Sequence, residues 1–336
     1  MGRLVSILIP AFNADRWIEE TIQSALDQTW QGKEIIIVDD GSSDQTLTIA
    51  QRFASKNVKV ISQTNQGAAA ARNRAYSVCE GDYIQWLDAD DILAPDKIAK
   101  QMEVVDKTES KRMLLSCAWG HFNFRPSNAK FVRSPLWCDL APLELLLRKW
   151  ENDVFMQPAT WLLRRELAEA AGPWDTRLSL DDDGEYFCRV ILASEEVKFV
   201  PEARIFYRRG LGTLSCVGES ATKLESKFLS MCLQVERLRA VDDTARARVA
   251  CLKSLQADLL HYCPERPDIM RRAQQLAEQL GGKLEIPQMA WKYRPIEKVF
   301  GLRASKRAQR YCSRWRFCAI NAWDKLVFRF ERRCIR

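Results

Sequence analysis

At 336 residues the chain is long enough for one large or two ordinary domains, and a hydrophobic fraction of 47% is enough to build a real core. Two histidines, His121 and His261, leave little room for a histidine-rich metal site or a Ser-His-Asp triad. Eleven cysteines, an odd number without any Cys-x-x-Cys spacing, argue against a disulfide framework or a zinc site and for reduced, apolar core thiols in the cytosol.

The apolar run of residues 5–10 is too short for a signal peptide, lacks a small-residue cleavage site and leads directly into polar sequence, so it reads as a buried strand. No apolar stretch approaches the ~20 residues that span a bilayer. The expectation is a cytoplasmic protein, soluble or peripheral on the inner face of the plasma membrane. In chain order, 15–28 follows as a helix with Trp17, Ile18, Ile22, Ala25 and Leu26 on one face. Residues 34–38 form an aliphatic strand closed by the turn Asp39-Asp40-Gly41-Ser42-Ser43, and Asp44 caps a helix to about residue 55. A third strand spans 58–62, an Ala-rich helix 67–80 stops at Gly81, and a fourth strand, 83–87, runs into Asp88. Continuous apolar strands alternating with helices imply an α/β fold around a mostly parallel sheet. Ligands bind such sheets at the carboxyl ends of the strands, where Asn13, Asp39, Asp40 and residues 88–91 stand.

Beyond residue 100 the rhythm weakens. The pattern predicts a strand at 114–118, an irregular stretch at 131–139 and a helix at 142–149. An acidic cluster opens an apolar helix within 178–192, edge strands cover 197–200 and 204–207, and helices run from about 219 to 280. A linker at 287–294 leads to a tail. There is no internal repeat.

Asp88-Ala89-Asp90 carries the most chemistry. Two carboxylates at a strand end place hard oxygen donors beside a diphosphate crevice, where Mg²⁺ or Mn²⁺ bridges protein and phosphate oxygens as a Lewis acid. A carboxylate of the Asp39-Asp40 turn can accept a hydrogen bond from an imide N–H such as N3 of uracil, or the turn is purely structural. Residues 67–74, Gly-Ala-Ala-Ala-Ala-Arg-Asn-Arg, open a helix suited to a phosphate or base contact, or to close packing. Asp181-Asp182-Asp183 repel one another, which raises a pKa and suits a general base, though carboxylates also favour any helix N-terminus.

Several segments in one order resemble the family 2 glycosyltransferases of GT-A fold. They are Val5-Ser6-Ile7-Leu8-Ile9-Pro10-Ala11-Phe12-Asn13, Val38-Asp39-Asp40-Gly41-Ser42-Ser43-Asp44, Gly67 through Arg72-Asn73, Gly81-Asp82-Tyr83-Ile84 and Asp88-Ala89-Asp90-Asp91. The stretch Ala171-Gly172-Pro173-Trp174-Asp175-Thr176-Arg177-Leu178, followed by Asp182-Asp183, looks like the family's acceptor-side segment. The resemblance covers about the first 210 residues. It implies inverting transfer from a nucleotide-diphosphate sugar, a UDP-sugar above all, to a saccharide or lipid-linked acceptor, as in the synthesis of bacterial surface polysaccharides. It places Pro10 and Phe12 beside the base with Asn13 following, Asp40 and Asp39 on the base, and Gly67 and Arg72 near the nucleotide. It also places Asp88 and Ala89 at the diphosphate, with Asp90 as direct metal ligand and Asp88 as the other member of the pair. Asp183 matches the catalytic base, with Asp182 and Asp181 as alternatives, because the family's Glu-Asp pair is here a triple Asp. A second departure is Phe12, where the family has Tyr: ring packing survives, the hydroxyl does not.

The division expected is a catalytic domain at 1–215, a helical extension at 216–290 and a basic amphipathic tail at 291–336. The net charge of +7 belongs to that tail: 14 Lys/Arg against 3 Asp/Glu give it +11 and leave −4 on the preceding 290 residues. Basic residues interleaved with Trp315, Phe317, Trp323, Leu326, Val327, Phe328 and Phe330 suit an interfacial helix on anionic lipid from about 295, or a helix packed on the catalytic domain. No nucleic-acid module is recognisable. A nucleotidyltransferase lacks support, because no basic glycine-rich loop follows the first strand. The absence of Gly-x-Gly-x-x-Gly argues against a dinucleotide dehydrogenase. The reading of a different class is a non-catalytic protein on the same fold, binding nucleotide sugar or a membrane surface.

Overall fold

Val5–Ala11 alternates its side chains between two faces, and both are apolar: Ile7 and Ile9 pack on one side, Leu8 on the other, all fully buried. This strand, β1, therefore lies inside a covered sheet. The computed structural model describes residues 3–107, 110, 112–209, 220–286 and 289–334.

From β1 the chain passes through α1 (Ile18–Leu26), β2 (Lys33–Asp39), α2 (Thr46–Gln51), β3 (Val58–Ser62), α3 (Ala68–Ser77) and β4 (Tyr83–Trp86). It continues through β5 (Ile92–Leu93), α4 (Lys97–Val105), β6 (Met113–Phe122), β7 (Lys130–Phe131), α5 (Pro142–Glu151), β8 (Leu162–Arg164), α6 (Arg165–Ala171), α7 (Asp182–Ala193) and β9 (Glu196–Arg208). The helices α8 (Ala221–Val241), α9 (Ala245–Tyr262), α10 (Pro267–Gln279), α11 (Arg294–Ile320) and α12 (Ala322–Cys334) complete it. The sheet order is β3-β2-β1-β4-β8-β6-β9-β5, with β7 on β6.

The expected α/β sheet is present, and its first four strands are parallel. The second half is mixed: β8 runs antiparallel to β4 and β6, and β9 runs parallel to β6 but antiparallel to β5. The two expected edge strands are one interior strand, β9. Pro201 reads as a break, but residues 201–203 are extra residues of β9 set opposite the consecutive Cys117 and Ala118 of β6, and pairing resumes at Arg204. The helix expected over 15–28 is confined to Ile18–Leu26. Asp44 forms an Asx turn to the Thr46 N–H, and Gln45 holds the cap position.

One face of the sheet packs against α1, α2 and α4 through Ile18, Ile22, Ala50, Ile98 and Met102. The other face packs against α3, α5, α6 and α7. The same apolar cluster runs on without a break into Val235 and Leu238 of α8 and Cys251 and Leu255 of α9. The expected boundary at 215 and the start of the linker at 287 lie outside the described residues. Among the described residues no helix is long and apolar enough to cross a membrane.

Candidate active site

At the carboxyl ends of β1 and β2, Asn13 adopts a left-handed backbone (φ 48°). Its N–H donates to Ser42 Oγ (2.9 Å), and its Oδ1 accepts from the Ser43 N–H (2.9 Å), stitching the two strand ends together. Pro10 and Phe12 are half-buried beside them. Asp40 has both carboxylate oxygens engaged: Oδ1 accepts from the Gln66 N–H (2.9 Å) and Gln63 Nε2 (2.8 Å), and Oδ2 from the Gly67 N–H (2.8 Å). It thereby holds the loop that opens α3, where Gly67 sits at φ 92°, a conformation costly for any residue with a Cβ. Asp39 is held more loosely, through Oδ2 to the Ser42 N–H (3.3 Å) and Ser62 Oγ (3.4 Å). Its Oδ1 is buried without a hydrogen-bond partner among the described residues.

Arg72 of α3 joins the two acidic segments. Its Nη2 donates to Asp88 Oδ1 (2.8 Å) and its Nη1 to Asp182 Oδ2 (2.5 Å). Its guanidinium lies 4.3 Å over the Trp174 ring, which stacks on Tyr186 at 4.0 Å and meets Trp86 edge-on. Burial works against the Arg72 charge, but Asp182 and Asp88 outweigh it and hold its pKa above the usual value. The next residue, Asn73, exchanges two hydrogen bonds with the Trp174 backbone (2.8 and 2.9 Å), which fixes the 171–178 segment to α3. Residues separated by about a hundred positions in sequence therefore share one cation.

The three aspartates before and within α7 have different partners. Asp181 is left-handed (φ 60°), and its Oδ2 accepts from Ser230 Oγ (2.6 Å) and Gln234 Nε2 (2.9 Å) of α8. Its carboxylate folds over Gly184, where any Cβ would overlap it. Ser226 of the same helix accepts from the N–H groups of Ser179 (2.8 Å) and Leu180 (3.0 Å). Asp182 is taken by Arg72. Asp183 has no hydrogen-bond or ion-pair partner for its carboxylate among the described residues. Burial, then repulsion from Asp182 and Asp181, push its pKa up to about 7 against the pull of Arg72. The neighbouring Glu185 forms a two-point pair with Arg189 (2.8 Å each), and Arg189 also donates to the carbonyls of Ala171 and Pro173.

Asp90 shows the same electrostatic signature. Burial, reinforced by Asp88, raises its pKa to about 7, with Arg208 opposing. Asp91 is raised well above the carboxylate range by burial and by Asp90 and Asp88, and its Oδ2 is buried without a partner. Ala89 is buried, and its carbonyl accepts from Thr21 Oγ1 (3.0 Å), anchoring the loop to α1.

Sequence reasoning missed Arg208, the last residue of β9. Its Nε donates to the Asp90 carbonyl (2.8 Å) and its N–H to Asp91 Oδ1 (2.9 Å). Its Nη2 pairs with Glu20 (2.6 Å), and its guanidinium lies between the rings of Trp17 (4.0 Å) and Phe122 (4.4 Å). This fully buried cation backs the acidic loop from behind. The one signal in the sequence was a basic residue ending an apolar strand.

Residues 6–172 match the family described as Glycosyl transferase family 2. The glycosyltransferase GlyG of Streptococcus pneumoniae is 29% identical over 227 residues, 64% of this chain and 73% of that protein. An uncharacterized glycosyltransferase of Haemophilus influenzae is 42% identical over 102 residues, 30% of this chain and 41% of that one, so the match spans under half of that relative's length. Among solved structures, S. aureus TarS 1–349 in complex with UDP-GlcNAc superposes with a TM-score of 0.66 at 19% identity, over 82% of this chain and 81% of that one, a likeness of fold. The ordered motifs, the sheet that carries them and these matches agree: residues 6–172 of the chain belong to glycosyl transferase family 2.

Proposed function

We propose that this protein transfers a sugar, with inversion, from a UDP-sugar to a hydroxyl of a saccharide or lipid-linked acceptor. The observation that carries the reading is the Arg72 bridge, which brings Asp88 and Asp182 to one guanidinium and so sets the donor-side and acceptor-side carboxylates into a common site. The solved neighbour TarS, with UDP-GlcNAc bound, supports the choice of a uridine donor. Asp39 Oδ1 is the free acceptor for an imide N–H of the base, and Asp40 acts by shaping the loop around it.

Asp183 is the base. Its carboxylate is unengaged, and a pKa near 7 lets it take a proton while remaining substantially ionised at neutral pH. As it removes the acceptor proton, the hydroxyl oxygen bonds to the anomeric carbon and the bond to the diphosphate oxygen breaks, in one displacement. Arg72 steadies Asp182 and Asp88 and thereby the geometry on both sides of that carbon.

The donor set fits a divalent cation. Asp90 and Asp91 are buried with raised pKa values, a sign of negative charge short of a counter-ion, and carboxylate oxygens suit Mg²⁺ or Mn²⁺. Among the described residues no group of three or more ligating side chains gathers, so Asp90 and Asp88 would hold the ion, with phosphate oxygens and water completing its shell. Such an ion supplies Lewis-acid stabilisation to the leaving diphosphate. Measuring UDP release from UDP-sugars with Mn²⁺ tests the proposal. Asp183→Asn and Asp90→Ala should each abolish transfer in a folded protein, and UDP with Mn²⁺ should raise the melting temperature of the wild type but not of Asp90→Ala. Near-normal turnover in either variant overturns the assignment.

A further inference from the structure

The tail has two faces with different tasks. On the inner face, Phe328 is buried against the rings of Trp17 (5.4 Å) and Phe124 (6.0 Å). Asp324 accepts from Arg125 Nε (2.5 Å), from the N–H groups of Phe124 and Arg125, and from Asn128 (2.7 Å). Glu331 reaches the same arginine at 3.7 Å, and Asn321 pairs with Asn123 (2.6 Å). Two of the three acids in residues 291–336 are therefore turned inward.

The outer face is apolar and bare. Trp323, Leu326 and Phe330 follow the i, i+3, i+7 spacing of one helical stripe and are 70%, 61% and 69% exposed. Lys325 and Arg329 flank them, and one turn of α11 presents Tyr311 and Trp315, both more than two-thirds exposed.

We infer that the outer face of α12 lies in an anionic lipid surface and holds the catalytic domain against it. The occupant follows from charge. A stripe carried by a segment of net +11 repels a second copy of itself, whereas anionic headgroups neutralise it while acyl chains receive the side chains. Indole and phenol rings suit the headgroup boundary. The inner face then ties the membrane to the chemistry: Phe328 touches Trp17, Trp17 stacks on Arg208, and Arg208 bonds the Asp90 carbonyl. An enzyme so mounted presents its acidic site close to a lipid-linked acceptor.

Vesicle flotation of the full chain tests this, and it reads partition without reference to turnover. Wild type should float with phosphatidylglycerol/phosphatidylcholine vesicles at low salt and stay behind with phosphatidylcholine alone. The triple variant Trp323→Ser, Leu326→Ser, Phe330→Ser should lose more than about tenfold in partition. Lys325→Glu with Arg329→Glu should lose at least as much. Both should keep the wild-type melting temperature and rate of UDP release, because none of these side chains enters the site. Wild type that fails to float, or a triple variant that floats like wild type, overturns the inference. So does light scattering that shows a wild-type dimer which the triple variant converts to monomer without any change in flotation.

Discussion

A buried arginine holding two carboxylates is an electrostatic compromise whose removal is felt on both sides. Arg72 lowers the pKa of Asp183 while Asp182 and Asp181 raise it, so the proposed base is tuned by neighbours of opposite sign. With Asp183 as the proposed base, transfer needs it ionised, so the acidic limb of the kcat/KM profile should lie near pH 7. Asp182→Asn deletes a repelling charge and should move that limb to lower pH; Arg72→Met deletes an attracting one and should move it higher. A profile that shifts the same way in both variants would sink the assignment of Asp183. The same carboxylates affect stability. Asp90 and Asp183 have folded pKa values raised from 3.8 to about 7, so the folded state binds more protons than the unfolded one across that window. Their contribution is complete below pH 4 and is lost as the pH rises toward 7. Without metal or nucleotide, the melting temperature should fall over that window, and Asp183→Asn should flatten the slope.

Helix α8 is an element whose side chains complete a site built elsewhere. Ser230 and Gln234 are the donors to the Asp181 carboxylate, and Ser226 holds the two residues preceding it. Left-handed backbone at a non-glycine residue is costly and persists only where surrounding contacts impose it. With those donors gone, Asp181 relaxes and the turn carrying Asp182 and Asp183 loosens. The double variant Ser230→Ala, Gln234→Ala should therefore lose roughly tenfold in kcat with little change in donor KM, because a small misplacement of the proposed base is expensive while the proposed nucleotide-side residues are untouched. Circular dichroism should show the fold retained. An unchanged kcat would leave α8 a packing helix only.

How much of this was legible follows from range. The strands β1 to β4, the turn after β2 and the Asp88–Asp90 pair were readable because apolar runs and their polar ends are local signals. The triple aspartate could be found but not sorted: which carboxylate is free depends on Arg72, about 110 positions away, and on α8, about 50 positions away. Arg208 is marked only as a basic residue ending an apolar strand and the three-residue strand β8 carries no local pattern, since a contact made by tertiary pairing leaves no period in the sequence. The join of β9 across Pro201 was hidden for the same reason, as it is the unbroken partner strand β6 that carries the pairing past residues 201–203.

At the scale of the whole molecule, the tail is bound by few but well-buried contacts. Phe328 is buried among rings, and truncating it leaves a cavity beside Trp17 and Phe124. Phe328→Ala should cost about 3 kcal/mol of unfolding free energy by denaturant titration. Trp323→Ala, on the bare side of the same helix, should stay within about 0.5 kcal/mol. Equal losses would mean that the two faces are not distinct.

That docking also has a temporal side. Trp17 is made long before Phe328, yet each covers the other. Domains generally fold during synthesis from the N-terminal end, but here the wall behind the acidic loop stays open to solvent until α12 has been made. A chain cut short before α12 would therefore yield a folded sheet with an unsupported acidic loop.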